Sequence, residues 1–184
     1  MKFKETTLKG NYLIDNECFL DDRGFFIREF CKNKFYKLLK NKNITQINRS
    51  HTKIEGTVRG LHFQYPPYAE TKIISCLKGK VWDVAVDIRM GSPTFLKYYA
   101  VILSEENSQS FLIPEGFAHG FQSLSDNCEM LYFHTADYKA NAEGTINALD
   151  KRLKIEWPKK ITKQSERDSN FPSLSENFLG VDIK

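Results

Sequence analysis

The stretch 56–64 carries residue types that can transfer protons and bind anions. It places His62 and Arg59 among β-branched and aromatic residues, with glycines at positions 56 and 60. Histidine gains or loses a proton near neutral pH, and arginine is a natural anchor for phosphate. A β-strand also commonly carries a structural histidine, and most arginines are simply solvated. This stretch alone therefore leaves a catalytic and a structural interpretation open.

Further polar side chains interrupt apolar or small-residue segments that read as strands. With the histidine above, they are His62, Lys72, Asp83, His119 and Tyr132. An unpaired polar group in a core costs about 1–3 kcal/mol, so five of them on consecutive strands favour a shared site. A small β-barrel would bring them together, because alternate residues of several strands line its interior.

This set of residues fits the abstraction of a proton next to a carbonyl group. His62 would act as the base, Lys72 would stabilise the enolate oxygen, and Tyr132 would return a proton from the other face. Arg23 and Arg59 would anchor an anionic part of the substrate. The sequence has no Gly-x-Gly-x-x-Gly or Walker motif, which argues against hydride transfer and nucleotide hydrolysis.

A metal centre is the main rival interpretation of these residues. Barrels of this kind often bind iron or manganese through two histidines one residue apart, followed by a glutamate and a later histidine. Here Gln64 stands two residues after His62, and the next glutamate is Glu70. The ammonium group of Lys72 would repel a cation. We therefore predict that the protein has no metal and no cofactor.

The composition excludes several classes of protein. The formal net charge of +4 over 184 residues is too diffuse to favour nucleic-acid binding. No apolar stretch reaches the length of a membrane span, and the first fifteen residues lack the apolar core of a signal peptide. The cysteines are scattered without a Cys-x-x-Cys pair, which suits a reducing cytoplasm. We expect a cytoplasmic protein without nucleic-acid or membrane partners.

Strand patterns dominate the chain, with one helix predicted near the start at 33–42. Two β-rich runs at 72–77 and 81–88 are joined by Lys-Gly-Lys, which predicts a hairpin. Nearly every position of 81–87 is apolar, so both faces of that strand should be covered. Further strands are predicted at 97–103, 110–113, 120–123 and 129–135. Short strands at this spacing indicate a β-sandwich or a small barrel.

Five motifs then stand in a fixed order along the chain. They are D-R-G-F-F at 22–26, R-G-L-H-F-Q at 59–64, D-V-A-V-D-I-R at 83–89, G-S-P-T-F at 91–95 and I-P-E-G-F-A-H-G-F at 113–121. Together they closely resemble the dTDP-4-dehydrorhamnose 3,5-epimerase family, metal-free cupins that act on nucleotide-linked 4-keto sugars. The resemblance covers about residues 10–170.

The resemblance implies an all-β cupin double-stranded β-helix, or jelly-roll barrel, with a few short peripheral helices. A single domain would cover 1–184, with N-terminal strands and a helix at about 1–45, the barrel at 46–150 and a C-terminal segment at 151–184 that wraps the outside. The family forms homodimers that exchange N-terminal strands, so a homodimer is expected here. No cofactor is implied.

The resemblance also assigns roles to individual residues. His62 resembles the catalytic base and Asp168 the carboxylate that orients it, while Tyr132 resembles the acid on the opposite face. Lys72 and His119 resemble the pair near the sugar carbonyl, with Asp83 supporting His119. The remaining expected contacts to the nucleotide-diphospho-4-keto-sugar are Arg23, Phe26, Gln46, Asn48, Arg59, Tyr138 and Glu143.

Two departures from the family pattern fall where the nucleobase should lie. Arg28 occupies a position where these enzymes usually carry a glutamate, and Glu29 is displaced to the other face of the strand. The segment 46–50 also stands one residue further from Gly56 than usual. We include Arg28 among the substrate-binding residues and expect that the nucleotide need not be dTDP. GDP is plausible, and CDP, UDP and sugars longer than a hexose stay open.

The expected function is therefore inversion of C3 and C5 of a nucleotide-linked 4-keto sugar, in the synthesis of surface-carbohydrate precursors. The segment 135–139 departs from the usual Asp-Tyr-Tyr run. This leaves open a single-centre C3 epimerase or a ketoisomerase acting on the same substrate class. A non-catalytic sugar-binding cupin is the third hypothesis, although a binding module needs neither base nor acid.

Overall fold

The computed structural model describes residues 1–183, and its regular structure consists mainly of strands. In chain order the strands are β1 Lys2–Glu5, β2 Tyr12–Asp15, β3 Glu17–Asp21, β4 Gly24–Arg28, β5 Gln46–Thr52, β6 Val58–Gln64, β7 Lys72–Lys78, β8 Lys80–Asp87, β9 Tyr98–Ser104, β10 Gln109–Ile113, β11 Phe117–Ser123, β12 Cys128–His134 and β13 Glu143–Thr145. The described α-helices are short, α1 at Lys32–Phe35 and α2 at Glu166–Asn170, and a 3-10 turn covers Ala140–Ala142.

Two antiparallel sheets form the body of the protein. One has the strand order β1-β2-β10-β7-β12-β5 and the other β13-β6-β11-β8-β9, while β3 and β4 form a separate hairpin. Most neighbouring strands are distant in sequence, as in a jelly roll. The predicted all-β jelly-roll fold with a few short helices is confirmed.

The predicted hairpin between 72–77 and 81–88 is wrong. Strand β7 pairs with β10 and β12, whereas β8 pairs with β9 and β11 in the other sheet. Gly79, with a φ of +75°, carries the chain from one sheet to the other. A tight turn at glycine can join two strands of one hairpin or connect two different sheets. In this fold β7 and β8 each pair with two other strands, whereas in an isolated hairpin each would pair only with the other.

Alternate residues of each central strand serve two different cores. On β8, Val81 and Ala85 belong to the core between the sheets, while Val84 and Val86 pack on the outer face. The outer face of this sheet is covered by residues from the C-terminal third of the chain, including Leu153. Both faces of the strand are therefore covered, as its apolar pattern predicts.

The helix predicted at 33–42 is much shorter in the structure. Helix α1 has no side-chain cap at its N-terminus and no acidic residue in its first turn. After it the chain continues as turns, in which Lys40 and Asn41 adopt positive φ angles of 51° and 65°. Phe35 and Leu39 still pack on the outer face of the six-stranded sheet. The apolar spacing thus correctly predicts the buried residues but not the length of the helix.

Candidate active site

A cavity of about 760 Å³ lies between the two sheets and contains most of the predicted site residues. The predicted residues that line it are Gln46, Asn48, Arg59, His62, Lys72, His119, Tyr132, Tyr138, Glu143 and Asp168. The central strands contribute through their inward positions: His119 shares its face of β11 with the core residues Phe117 and Phe121. Side chains two residues apart on a strand point to the same face, so the alternation that builds the core also directs these polar groups into the cavity.

The pairing of β6 with β11 sets the two histidines side by side. His62 is directly opposite His119, and the register shifts between His119 and Phe121. Gly60 lies at this irregularity with a φ of +107°, and a Cβ atom there would lie 2.6 Å from the backbone oxygen of His119. Only glycine fits this bulge without strain.

His62 forms a hydrogen-bonded pair with Asp168. The His62 Nε2 atom lies 2.8 Å from Asp168 Oδ1, and the histidine side chain is 33% exposed against 4% for the aspartate. The carboxylate accepts the Nε2 proton, which leaves Nδ1 with its lone pair. Burial would raise the pKa of Asp168, but the hydrogen bond and charge of His62 outweigh burial and the pKa is lowered.

Helix α2 delivers Asp168 to this pair. Ser165 caps the helix by accepting the backbone N–H of Asp168 at 3.1 Å. The second carboxylate oxygen of Asp168 accepts the backbone N–H of Gly60 at 3.3 Å. Two anchors therefore fix the aspartate behind the histidine, and through it the C-terminal segment contributes to the cavity.

His119 has a similar partner but a more enclosed environment. Its Nε2 atom lies 3.0 Å from each carboxylate oxygen of Asp83 on β8, and its side chain is only 7% exposed. Burial lowers the pKa of His119 despite the charge of Asp83. At neutral pH the ring is therefore neutral and offers a lone pair to the cavity.

Lys72 and Tyr132 come from the facing sheet. The Lys72 ammonium donates to the backbone oxygen of His62 at 3.3 Å and forms an ion pair with Glu70 at 3.3 Å. The Tyr132 hydroxyl lies 3.0 Å from the hydroxyl of Ser50. Burial raises the pKa of Tyr132, so the phenol keeps its proton. The cavity therefore presents a base on one sheet and a cation and a phenol on the other.

The remaining predicted cavity residues form two groups. Arg59 donates to the hydroxyl of Thr52 and to the backbone oxygen of His51, both at 3.0 Å. The backbone N–H of Tyr138 donates to the side-chain oxygen of Gln46 at 3.1 Å, and its hydroxyl donates to Glu143 at 2.8 Å. Arg59 thus brings a fixed positive charge to the cavity, and Tyr138 brings an exposed aromatic ring.

Three predicted substrate-binding residues lie outside this cavity. Arg23 and Phe26 are exposed on the β3–β4 hairpin, where Arg23 pairs with Asp21 at 2.5 Å. Arg28 pairs with Glu17 at 2.9 Å. The structure of one chain therefore does not bring Arg23, Phe26 or Arg28 to the other site residues.

Glu29, the displaced glutamate of the N-terminal motif, also points elsewhere. Its carboxylate accepts a hydrogen bond from Ser75 on β7 at 2.8 Å and lies 3.3 Å from the side-chain nitrogen of Asn16. Glu29 is absent from the residues lining the cavity. Whether another residue replaces a glutamate at position 28 stays a prediction.

Several ionisable cavity residues escaped the sequence analysis as functional candidates, and two of them, Glu70 and His134, form a pair. The side chains of Glu70 and His134 are 9% and 11% exposed, and His134 Nδ1 lies 2.7 Å from Glu70 Oε2. Each lies two positions from a predicted site residue, Lys72 or Tyr132, and His134 follows Tyr132 on the same strand. The two-residue period of a strand would have placed His134 on the same face as Tyr132.

Residues 1–183 contain neither a metal-binding cluster nor a membrane-spanning helix. No group of three or more histidine, cysteine, aspartate and glutamate side chains is arranged to hold a metal ion. No helix in this part of the chain is both long and apolar enough to cross a membrane. The expected absence of a metal stays a prediction.

Comparison with known proteins identifies the chain as a jelly-roll isomerase. The chain belongs to the dTDP-4-dehydrorhamnose 3,5-epimerase family, whose model matches residues 5–176. It is 40% identical over 177 residues to the dTDP-4-dehydrorhamnose 3,5-epimerase of Sinorhizobium fredii, covering 96% of this chain and 91% of the relative. The family resemblance drawn from the five motifs is confirmed.

Solved structures give the same result for the fold. The dTDP-4-dehydrorhamnose 3,5-epimerase of Elizabethkingia anophelis superimposes with a TM-score of 0.89 at 39% identity, covering 97% of this chain and 98% of that one. The dTDP-6-deoxy-D-glucose-3,5-epimerase of Legionella pneumophila, in complex with dTDP-4-keto-L-rhamnose, has a TM-score of 0.86 at 38% identity, with coverage of 91% and 89%.

Proposed function

We propose that this protein inverts C3 and C5 of a dTDP-linked 4-keto-6-deoxy sugar in the synthesis of a surface-carbohydrate precursor. The observation that carries the proposal is the arrangement of the cavity. A histidine with a carboxylate behind it lies on one sheet, and a protonated phenol and an ammonium group lie on the other. A single base and a single acid on different walls suit inversion at carbon.

The first step is removal of a proton next to the C4 ketone. His62 Nδ1 takes the proton from C3, and the electrons of the broken C–H bond form an enolate whose oxygen carries the negative charge. The Lys72 ammonium stabilises that oxygen. Asp168 stabilises the imidazolium that forms, because it already accepts the Nε2 proton at 2.8 Å.

The second step returns a proton to the other face of the same carbon. The Tyr132 phenol donates its proton to C3, which inverts the centre and leaves a phenolate. Solvent restores the proton of Tyr132, with the Ser50 hydroxyl at 3.0 Å relaying it by taking one proton as it passes its own on, and solvent also removes the proton from His62. The same two steps at C5 complete the reaction. Neutral His119 supplies a lone pair that can orient a sugar hydroxyl.

The nucleotide is proposed to be dTDP. The relatives are named as dTDP-sugar epimerases, and the Legionella pneumophila enzyme is bound to a dTDP sugar. Arg28 departs from the family pattern and suggested a nucleobase other than thymine. In the structure it forms a salt bridge with Glu17 and does not line the cavity of its own chain. GDP, CDP and UDP sugars are therefore the alternatives against which dTDP is tested.

A homodimer is proposed because the β3–β4 hairpin exposes large apolar side chains on both of its faces. Phe19, Leu20, Phe25 and Phe26 are 55%, 80%, 70% and 63% exposed. Exposed apolar patches of this kind mark interaction sites. A second copy that buries this hairpin beside its own cavity would bring Arg23, Phe26 and Arg28 toward the substrate.

Unpaired cysteines throughout the chain support a reducing compartment such as the cytoplasm.

Proton NMR in D₂O tests the reaction and the nucleotide together. We expect deuterium at both C3 and C5 of the dTDP-linked 4-keto-6-deoxy sugar, and slower exchange with its GDP, CDP and UDP counterparts. Label at C3 alone would show a single-centre epimerase. Binding of the sugars without any exchange would show a non-catalytic cupin.

Sedimentation of Phe26→Ser, which should weaken the dimer, tests the hairpin interface.

A further inference from the structure

A buried acid–base pair lines the cavity beside the proposed catalytic groups. His134 Nδ1 lies 2.7 Å from Glu70 Oε2, and both side chains are about one-tenth exposed. Burial would raise the pKa of Glu70, but the hydrogen bond from His134 and the charge of Lys72 outweigh burial, so the pKa is lowered. Glu70 is therefore an ionised carboxylate at neutral pH, held inside the protein next to the sugar-reacting groups.

Strand pairing explains why this pair lies so close to Lys72. His134 on β12 is directly opposite Lys72 on β7 and opposite Gln46 on β5. Its ring also stacks on that of Tyr132, two residues earlier, with centroids 6.2 Å apart. The pair is thus in contact with both the proposed oxyanion-binding cation and the proposed acid.

The pair completes a chain of polar contacts that ends at Lys72. Asn48 Nδ2 lies 3.4 Å from His134 Nε2, so the amide can donate to this nitrogen while Nδ1–H donates to Glu70. The other oxygen of Glu70 lies 3.3 Å from the Lys72 ammonium. A lysine ammonium has three N–H donors. The backbone oxygen of His62 and the carboxylate of Glu70 account for two of them, and the third can point into the cavity.

We propose that Glu70 and His134 are positioning residues, which aim the Lys72 ammonium at the oxygen of the enolate. The inference rests on the proposed epimerase function. Glu70 holds the end of the flexible Lys72 side chain, and His134 holds the Glu70 carboxylate. A buried carboxylate is seldom retained for stability alone, since its desolvation offsets much of the gain from pairing. Orientation of Lys72 would account for the presence of a carboxylate at this enclosed position.

The direct test replaces Glu70 by glutamine, which keeps the shape but removes the charge. We expect kcat for deuterium incorporation at C3 to fall on the order of 10- to 100-fold. KM and the Kd for dTDP should change less than about twofold, because the polar contacts of the Glu70 carboxylate are with His134 and Lys72 rather than with a residue expected to hold the nucleotide. The matched control is Glu115→Gln, which removes a glutamate–lysine pair with Lys42 outside the cavity and should leave kcat unchanged.

A double-mutant cycle with Lys72→Gln separates positioning from a structural role. If Glu70 acts through Lys72, adding Glu70→Gln to Lys72→Gln should cause less than about a twofold further loss. An equal loss in both backgrounds would overturn the proposal, as would a change confined to KM. His134→Gln should show a smaller loss with the same dependence on Lys72, and it serves if Glu70→Gln does not fold.

The failure of this inference can be told apart from failure of the proposed function. A wild-type protein that incorporates no deuterium refutes the proposed function. A wild-type protein that incorporates deuterium, with Glu70→Gln and His134→Gln equally fast, refutes the positioning role alone.

Discussion

The two histidine–aspartate pairs of the cavity use the same chemistry in different surroundings. His62 and His119 are opposite one another in register, and each directs Nε2 at a carboxylate about 3 Å away. The His62 side chain is 33% exposed, whereas that of His119 is 7% exposed. The hydrogen-bond partner alone therefore does not identify the base. Access to the cavity distinguishes the two.

The origin of the two carboxylates differs as well. Asp83 lies on β8, the strand next to His119, so the barrel itself builds that pair. Asp168 comes from helix α2 near the end of the chain and is held by Ser165 and by the backbone of Gly60. One pair is part of the sheet, and the other depends on a segment that docks onto it. This difference predicts that the two pairs respond differently to substitution.

The largest expected effect is that of His62→Asn. Because general-base catalysis typically contributes 10²–10⁴-fold, deuterium incorporation should fall by about a thousandfold or more, with dTDP binding retained. His119→Asn should reduce incorporation by only about tenfold, since a neutral buried ring orients the substrate but does not take its proton. NMR exchange rates and calorimetric binding measure both. Similar losses for the two variants would contradict the assignment of His62 as the base.

Gly60→Ala tests the bulge that aligns the two histidines. A Cβ at this position would lie 2.6 Å from the His119 backbone oxygen, and the residue has a positive φ. We expect the free energy of unfolding to fall by about 3 kcal/mol in chemical denaturation. Gly91→Ala is the matched control: its φ of +72° is also positive, but a Cβ there meets no atom within 4 Å. It should cost about 1 kcal/mol, and equal costs would mean that the close contact has no effect.

Much of the cavity was predictable from the sequence because its residues follow strand periodicity or lie in ordered motifs. His62, His119 and Tyr132 are inward-facing on strands whose apolar pattern is clear. The partners of those strands were less predictable: the turn at Gly79 reads as a hairpin, yet β7 and β8 join different sheets. Strand partners are chosen by distant segments, which local patterns do not encode.

Other parts of the site depend on contacts that no local pattern carries. Glu70 and His134 lie 64 positions apart in sequence and meet only through the pairing of β7 with β12. Arg23 and Phe26 fall in a motif, but one chain leaves them exposed on the hairpin. Their expected place at the substrate requires a second chain, and that arrangement stays a proposal.

The two aspartates should separate activity from stability. Asp168→Asn removes the charge behind the base, so kcat should fall by about a hundredfold, with a change of less than about 1 kcal/mol in unfolding free energy. Asp83→Asn leaves a buried histidine with a poorer partner and should destabilise the protein by about 1–3 kcal/mol, with a smaller loss of kcat. Denaturant titrations and exchange rates report the two quantities. The reverse pattern would mean that Asp83 and His119 form the catalytic pair.

The smallest expected effects are on the pH dependence of stability, where His119 and Asp168 should titrate in separate windows. The pKa of His119 is lowered from 6.5 by burial, so the unfolded chain binds more protons below that pH. Its stabilising contribution is therefore complete above about pH 6.5 and is lost as the pH falls toward the lower folded-state pKa. The pKa of Asp168 is lowered from 3.8, so its contribution is lost only below about pH 3.8. Each group gives a slope of at most about 1.4 kcal/mol per pH unit.

In denaturation at a series of pH values, His119→Asn should flatten the curve just below pH 6.5, and Asp168→Asn should flatten it only below pH 3.8. If Asp168→Asn flattened the upper window instead, that window could not be assigned to His119, and burial would no longer distinguish the two histidines.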